Sequence, residues 1–352
     1  MLGVRRPTED WAQRRAKAHA VAVVGAGAAA QAYHFPALAA HPGTWERTVV
    51  VEQRPERRAA IESEFGLRAV ASLDEVIDDI DAAVIATPHG SHHSIALACV
   101  RRGVDVLCEK PLAETAAQGL EIAQEGERHQ AIVAVNHTRR VVPSYRRIAS
   151  LLADGTIGAP RRIEIEWGEV FGWPVTTSAH LGTASGSRGV LLDIGAHALD
   201  LVCWWIGDRP RVVSYRDDSL GGSEAVAAVE FERDGCTGSV WLSWLSTREN
   251  SIRIEGEHGR IDCGLYEWDT LTVTDRSGRA RRLRTEPAPR QYEALVAAVV
   301  DDFLSAVSER RAPLVSARDA LPSLQLIDEC YSRRAAFDMP WFDAFRRLEL
   351  GP

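Results

Sequence analysis

One stretch constrains this chain more than any other. With the residue before it, Val21–Ala30 reads A-V-A-V-V-G-A-G-A-A-A. Ala20–Val24 has the length and valine content of a strand buried on both faces, and Ala26–Ala40 then reads as a helix. A strand that enters a helix through G-x-G-x-x-A suits a dinucleotide pyrophosphate. Gly25 allows the tight turn, Gly27 lets the backbone approach the ligand, and Ala30 lets helix and strand pack closely. Around Ala28 and Ala29 the helix N-terminus presents free N–H groups and positive dipole.

The pattern continues in the same rhythm. Thr48–Val51 reads as a second buried strand, closed by Glu52 and Gln53, about 20 residues past the glycine loop, where such units place an acid to accept from the adenosine ribose hydroxyls. That acid favours NAD, because a carboxylate there repels a 2′-phosphate; Arg54, Arg57 and Arg58 nearby leave NADP open. Pro55–Phe65 reads as a helix capped by Gly66, and Ser72 opens a capping box, S-L-D-E. Asp81–Ala86 is a strand ending at Thr87-Pro88-His89-Gly90, Ser91–Arg102 a helix, and Val104–Cys108 a strand ending in Glu109-Lys110-Pro111. Ala113–His129 and Ala131–Val135 add a further helix and strand. Strands alternating with helices imply a parallel sheet with right-handed crossovers, whose ligands bind beyond the carboxyl ends of the strands. Gly25, Glu52, Thr87 and Lys110 all fall at that edge.

Beyond Asn136-His137-Thr138-Arg139-Arg140 the pattern changes. Pro143–Ala153 reads as a helix, followed by strand-like segments at Arg162–Val170, Arg211–Tyr215, Ala225–Glu232, Thr237–Ser243, Ser251–Glu255 and Thr270–Thr274, with a hairpin signal at Asp234-Gly235. Helices are expected at Val190–Ile206, Gln291–Glu309 and Ala317–Ala336. The expectation is an α/β protein: a Rossmann dinucleotide-binding domain over residues 18–138, then an α/β domain over 139–352 with a large, mostly antiparallel sheet and helices on one face. A chain of 352 residues supports two cores. Residues 1–17 carry several arginines with no apolar run behind them and read as a solvated extension.

Composition excludes several functions. The net charge of −8 argues against a large basic surface for nucleic acid or anionic membrane, and no apolar run approaches a membrane span of roughly 20 residues. The six cysteines, Cys99, Cys108, Cys203, Cys236, Cys263 and Cys330, show no C-x-x-C and no metal-ligand spacing; they suit buried thiols in a reducing cytoplasm.

Two places carry candidate chemistry. In L-L-D-I-G-A-H-A-L-D, Asp193, His197 and Asp200 lie near one stripe of a helix, and a carboxylate beside an imidazole suits general acid–base work. The alternative is a packed helix with both acids facing water. Lys110, at the end of a buried strand and followed by Pro111, would project into the crevice, where its ammonium could steady a developing alkoxide.

On these residues the chain resembles the Gfo/Idh/MocA family, the glucose–fructose oxidoreductase and inositol dehydrogenase relatives. The shared motifs are the glycine loop, Y-H-F-P-A-L (Tyr33–Leu38), A-T-P-x-x-x-H (Ala86–His92), E-K-P-L-A (Glu109–Ala113), D-G-T-I-G (Asp154–Gly158) and D-I-G-A-H-A-L-D (Asp193–Asp200), a resemblance running from about Ala20 to Asp343. It implies a Rossmann domain followed by an α/β domain whose open sheet makes an oligomer interface, here a homodimer or homotetramer. It further implies Lys110, Asp193 and His197 as the catalytic trio. His197 would take the hydroxyl proton, Asp193 would orient substrate or His197, and Lys110 would position the hydroxyl. The implied cofactor contacts are Gly25, Gly27, Ala28, Ala29, Glu52, Gln53, Thr87, Pro88, His92, Glu109 and Lys110. At His89 the chain departs from the family, which usually has Asn there. Implied substrates are sugars, sugar derivatives or cyclitols, with Glu169, Trp173 and His180 placed where a substrate loop could contribute. Two other activities occur among such relatives: glycoside hydrolysis through a recycled hydride, and non-catalytic ligand sensing.

Overall fold

A computed structural model describes residues 18–172, 188–219, 222–288 and 291–338. The expected extension 1–17 and the candidates Trp173 and His180 lie outside the described residues. Six short strands make the first sheet: β1 (Val21–Val24), β2 (Thr48–Val51), β3 (Arg68–Val70), β4 (Ala82–Ile85), β5 (Asp105–Cys108) and β6 (Val133–Val135), in the spatial order β3-β2-β1-β4-β5-β6. Every neighbouring pair is parallel. β1, β2, β4 and β5 are buried along their whole length, as strands covered by helices on both faces must be. The order reverses between β1 and β4, and that reversal opens the crevice at the carboxyl edge.

The helix expected over Ala26–Ala40 contains a wide turn. A π-type segment spans Ala30–His34 before the α-helix Phe35–Ala39. Such a turn carries one extra residue and redirects the side chains around it; here it ends on a buried His34 that reaches Glu109 just beyond β5.

The second sheet has nine strands: β7 (Pro160–Gly168), β8 (Arg211–Asp217), β9 (Val226–Arg233), β10 (Cys236–Ser243), β11 (Ser251–Gly256), β12 (Gly259–Gly264), β13 (Thr270–Asp275), β14 (Ala280–Arg284) and β15 (Arg334–Ala336), ordered β14-β13-β12-β11-β7-β10-β9-β8-β15. It is antiparallel except where β10 lies beside β7 and β15 beside β8. The helix Val190–Ile206 covers one face, sharing a core with Trp167, Val229, Val240 and Ile252. Alternating buried and exposed residues along β8 to β10 leave the other face polar.

Three strands of this sheet, β12, β14 and β15, are additional to the expectation, as is β3 in the first. β15 replaces the end of the expected helix Ala317–Ala336, which stops at Ser332. Arg334 pairs there with the buried carboxylates of Asp217 and Glu224, an interaction with distant residues that helical periodicity does not encode. The helix Tyr292–Glu309 returns to the first sheet, where Val296, Val300 and Phe303 share a core with Val21, Phe35 and Val50. Six free, buried cysteines complete the interior.

Candidate active site

The glycine loop shows why each glycine is needed. Gly25 has φ +95°, and a Cβ there would sit 2.8 Å from the Ala86 carbonyl oxygen. A Cβ at Gly27 would meet nothing within 4 Å, so open space lies above the start of the helix, where a pyrophosphate could approach the first free N–H groups. The Gln31 side chain donates to the Ala26 carbonyl at 2.8 Å and steadies the loop. Glu52, mostly buried at the end of β2, accepts from the Arg54 backbone N–H at 3.0 Å, with the Arg54 and Arg57 side chains 3.5 and 3.8 Å away. Arg54 and Arg57 are therefore turned onto this carboxylate, while Arg58 donates to the Glu52 and Gln53 carbonyls at 2.8 Å. The residues present suit an adenosine dinucleotide.

Beyond β4 and β5 the candidate residues divide in their roles. Thr87 Oγ1 accepts from Ser91 at 2.8 Å. His92 is buried, with Nδ1 2.8 Å from the Pro111 carbonyl and Nε2 2.9 Å from the Thr87 carbonyl. Burial holds this ring below its ordinary pKa despite those carbonyls; it ties the two strand-end loops together and shows no nitrogen free for a ligand. Glu109 accepts from Asn136 at 2.7 Å and lies 2.8 Å from His34 Nε2. Burial alone would raise this carboxyl, but hydrogen bonds with His34 and Asn136 and the charge of Lys110 outweigh it and bring it down to about 2.

Lys110 sits at the head of a cis Lys110–Pro111 peptide. Its Nζ lies 2.5 Å from Asp193 Oδ1 and 3.2 Å from the Asp193 carbonyl. Burial pulls the ammonium down, yet Asp193 more than compensates and the net shift is upward. Asp193 is in the first turn of the helix Val190–Ile206. Glu224 anchors that turn by accepting from the Gly189 and Leu191 N–H groups at 3.0 and 3.1 Å, and is itself held by Tyr331 and Arg334.

One turn further along, His197 is buried, stacks on Trp167 with ring centroids 6.0 Å apart, and meets His137 edge-on at 6.0 Å. Neither of its ring nitrogens has a hydrogen bond among the described residues, and Nδ1 is fully buried. Desolvation, reinforced by the charges of Lys110 and Arg139, holds its pKa well below the ordinary value. The stripe expected on this helix is thus resolved differently from a simple Asp–His pair. Asp193 binds Lys110 across the crevice, while Asp200 forms a buried bidentate pair with Arg140 at 2.9 and 2.7 Å.

Residues that sequence reasoning passed over complete the surroundings. Arg139, on the turn after β6, places its guanidinium 4.7 Å from the Trp167 ring, 5.7 Å from Trp268 and 5.5 Å from Tyr292. Its position at the carboxyl edge, in the run Asn136–Arg140 where the pattern changes, was the available signal. Two residues that the sequence did single out lie at the edge of this set: Glu169 accepts from Tyr266 at 3.1 Å on the exposed rim, and His89 faces Glu114 at 3.7 Å.

A doubly wound sheet with an open glycine loop and Lys110 at its carboxyl edge, facing Asp193 and His197 on a second sheet's helix, defines a dinucleotide-dependent oxidoreductase. The chain belongs to the GFO/IDH/MocA family: residues 19–137 match the oxidoreductase family's NAD-binding Rossmann fold, and residues 145–262 match the GFO/IDH/MocA C-terminal domain. It is 29% identical to a 1,5-anhydro-D-fructose reductase of Ensifer adhaerens, over 86% of this chain and 92% of the relative. It is 32% identical to a trans-1,2-dihydrobenzene-1,2-diol dehydrogenase of Xenopus tropicalis, over 58% of this chain and 63% of the relative. The fold superposes on a levoglucosan dehydrogenase in complex with NADH and levoglucosan with a TM-score of 0.78, at 21% identity, covering 89% of this chain and 96% of that one.

Proposed function

We propose that this oxidoreductase moves hydride between a nicotinamide cofactor and a hydroxyl or keto carbon of a sugar, sugar derivative or cyclitol, with Lys110, Asp193 and His197 as its catalytic residues. The observation that carries the reading is the neutral His197 ring, without hydrogen-bond partners among the described residues, beside a Lys110 ammonium already held by Asp193. A neutral imidazole can accept the hydroxyl proton. The Lys110 ammonium donates to the substrate oxygen and stabilises negative charge as the C–O bond gains double-bond character. Asp193 fixes the lysine in place and keeps it charged. Gly25–Ala29 would hold the pyrophosphate of NAD and Glu52 would accept from its ribose, and the cofactor when bound would supply the hydride acceptor. In balance, His197 takes the hydroxyl proton of a secondary alcohol, and the hydride lost from its carbon would pass to the bound cofactor, leaving a ketone.

Sugar relatives support the substrate class, as does a crevice lined with several donors, which vicinal hydroxyls need. The chain shows no helix long and apolar enough to cross a membrane among the described residues, and its free, buried cysteines suit a cytoplasmic enzyme. The polar face of the nine-stranded sheet is the surface through which we expect a homodimer or homotetramer to form. Absorbance of the reduced cofactor tests the function. Reduction of added NAD by a polyol or cyclitol is the expected result. Turnover of a dihydrodiol alone would overturn the substrate class, turnover of a glycoside with no net change in cofactor would indicate a hydrolase, and cofactor binding with no turnover would indicate a sensor.

A further inference from the structure

Arg139 is the most costly residue in the crevice. It is only 6% exposed, and its Nε and Nη1 are buried without a hydrogen-bond partner. No carboxylate pairs with it among the described residues. A buried guanidinium facing only aromatic rings regains part of its lost hydration through cation–π attraction, but its N–H donors stay unmet, and unpaired buried donors are expensive. Arg140, the next residue, shows the ordinary solution: the same side chain, buried to a similar degree, forked onto Asp200.

Charge accounting within the site points the same way. Lys110 is matched by Asp193, Glu109 is satisfied by His34 and Asn136, and His197 and His137 are held neutral by burial. That leaves Arg139 as the charged group of the site with no carboxylate or hydrogen-bond partner among the described residues. It lies close enough to bear on His197, and Trp167 touches both residues. From this, and resting on the hydroxyl-oxidising function proposed above, we infer that the substrate is a polyhydroxy acid whose carboxylate pairs with the Arg139 fork while its reacting hydroxyl lies against Lys110 and His197. A guanidinium in an aromatic box suits a planar monoanion, met through two parallel N–H···O bonds. A phosphate dianion would bring a second charge with no cation left to match it.

The test uses the full-length protein loaded with NADH for binding, or with NAD for turnover. Matched probes are glucuronate and gluconate as acids, glucose and glucitol as neutral counterparts, and glucose 6-phosphate as the phosphate. We expect the acids to raise the melting temperature more than the neutral probes at equal concentration, and to show kcat/KM higher by about 10²-fold or more, the scale of a buried charge pair. Arg139→Met should cut the acid-to-neutral ratio by about that factor while NADH affinity is retained. Arg139→Lys, which keeps the charge and loses the fork, should cut it less. If Arg139→Met does not fold, the lysine variant carries the test, and an unchanged ratio there overturns the proposal. Parent protein that binds neutral probes as well as acids, or that prefers glucose 6-phosphate, also overturns it. Oxidation of neutral polyols in that outcome would leave the dehydrogenase function standing; failure to oxidise any probe, with acids still binding through Arg139, would remove that function and keep the anion site.

Discussion

Two glycines only two residues apart should separate folding from cofactor binding. At Gly25 a side chain is strained twice. The backbone is left-handed at φ +95°, costing about 1–2 kcal/mol for a residue with a Cβ, and that Cβ would press within 2.8 to 3.0 Å of backbone and side-chain atoms of Ala86 and Thr87, adding roughly 1–3 kcal/mol of the kind overpacking causes. Gly25→Ala should therefore lose about 2–5 kcal/mol of stability. At Gly27 a Cβ meets nothing within 4 Å, so Gly27→Val should melt within a degree or two of the parent. Its side chain nevertheless fills the space through which the pyrophosphate reaches the helix N-terminus. Losing two hydrogen bonds to a charged phosphate, at about 1.5–3 kcal/mol each, corresponds to roughly a 10²–10⁴-fold weaker Kd. Denaturant unfolding of the cofactor-free protein and fluorescence titration with NADH measure the two effects. A Gly27→Val protein that folds and binds NADH with parental affinity refutes this placement of the pyrophosphate, and one that unfolds shows that the loop, not the ligand, needed the glycine.

His197→Ala should lower kcat by about 10²–10⁴-fold with cofactor affinity nearly unchanged, read by steady-state kinetics and NADH titration; parental turnover in a folded variant would refute the role as base. Because burial depresses the pKa of His197, the active neutral form should persist on acidification, and the oxidation rate should hold as pH falls through 6.5, where an ordinary histidine base would already be half protonated. Stability should behave differently. His92, His137 and His197 all have folded pKa values below the ordinary 6.5, so the unfolded chain takes up their protons first. Their contribution is complete above about pH 6.5 and is lost as pH falls from there through the folded values. Melting curves should be flat from pH 7 to 8 and decline below 6.5; a melting temperature that rises on acidification would contradict the buried, neutral rings. Glu52→Ala should weaken NAD more than NADP in parallel titrations, and a parent protein that prefers NADP would refute the role given to Glu52.

The amino-acid order alone determined the elements whose causes are local. Valine runs of strand length, glycines at the turn, and a small residue at Ala30 specify a strand, a tight turn and a helix within ten residues, and repetition of that unit dictates a parallel sheet with its ligands at one edge. Gly25, Glu52, Thr87 and Lys110 were assigned to that edge from spacing alone, and the fold places them there. What depends on distant partners was not legible. The wide turn at Ala30–His34 and the strand β15 follow no helical or strand period, and each delivers a side chain, His34 or Arg334, to a carboxylate far away in sequence. Helical spacing put Asp193, His197 and Asp200 on one stripe, but it could not say that Asp193 would bind a lysine 83 residues earlier, or that Asp200 would be taken by Arg140. Nor could it show that Arg139 would be buried beside them with no carboxylate partner among the described residues. Local periodicity decides which way a side chain leaves its own helix or strand; which group meets it is decided only when two sheets close on each other and burial makes every unmatched charge costly.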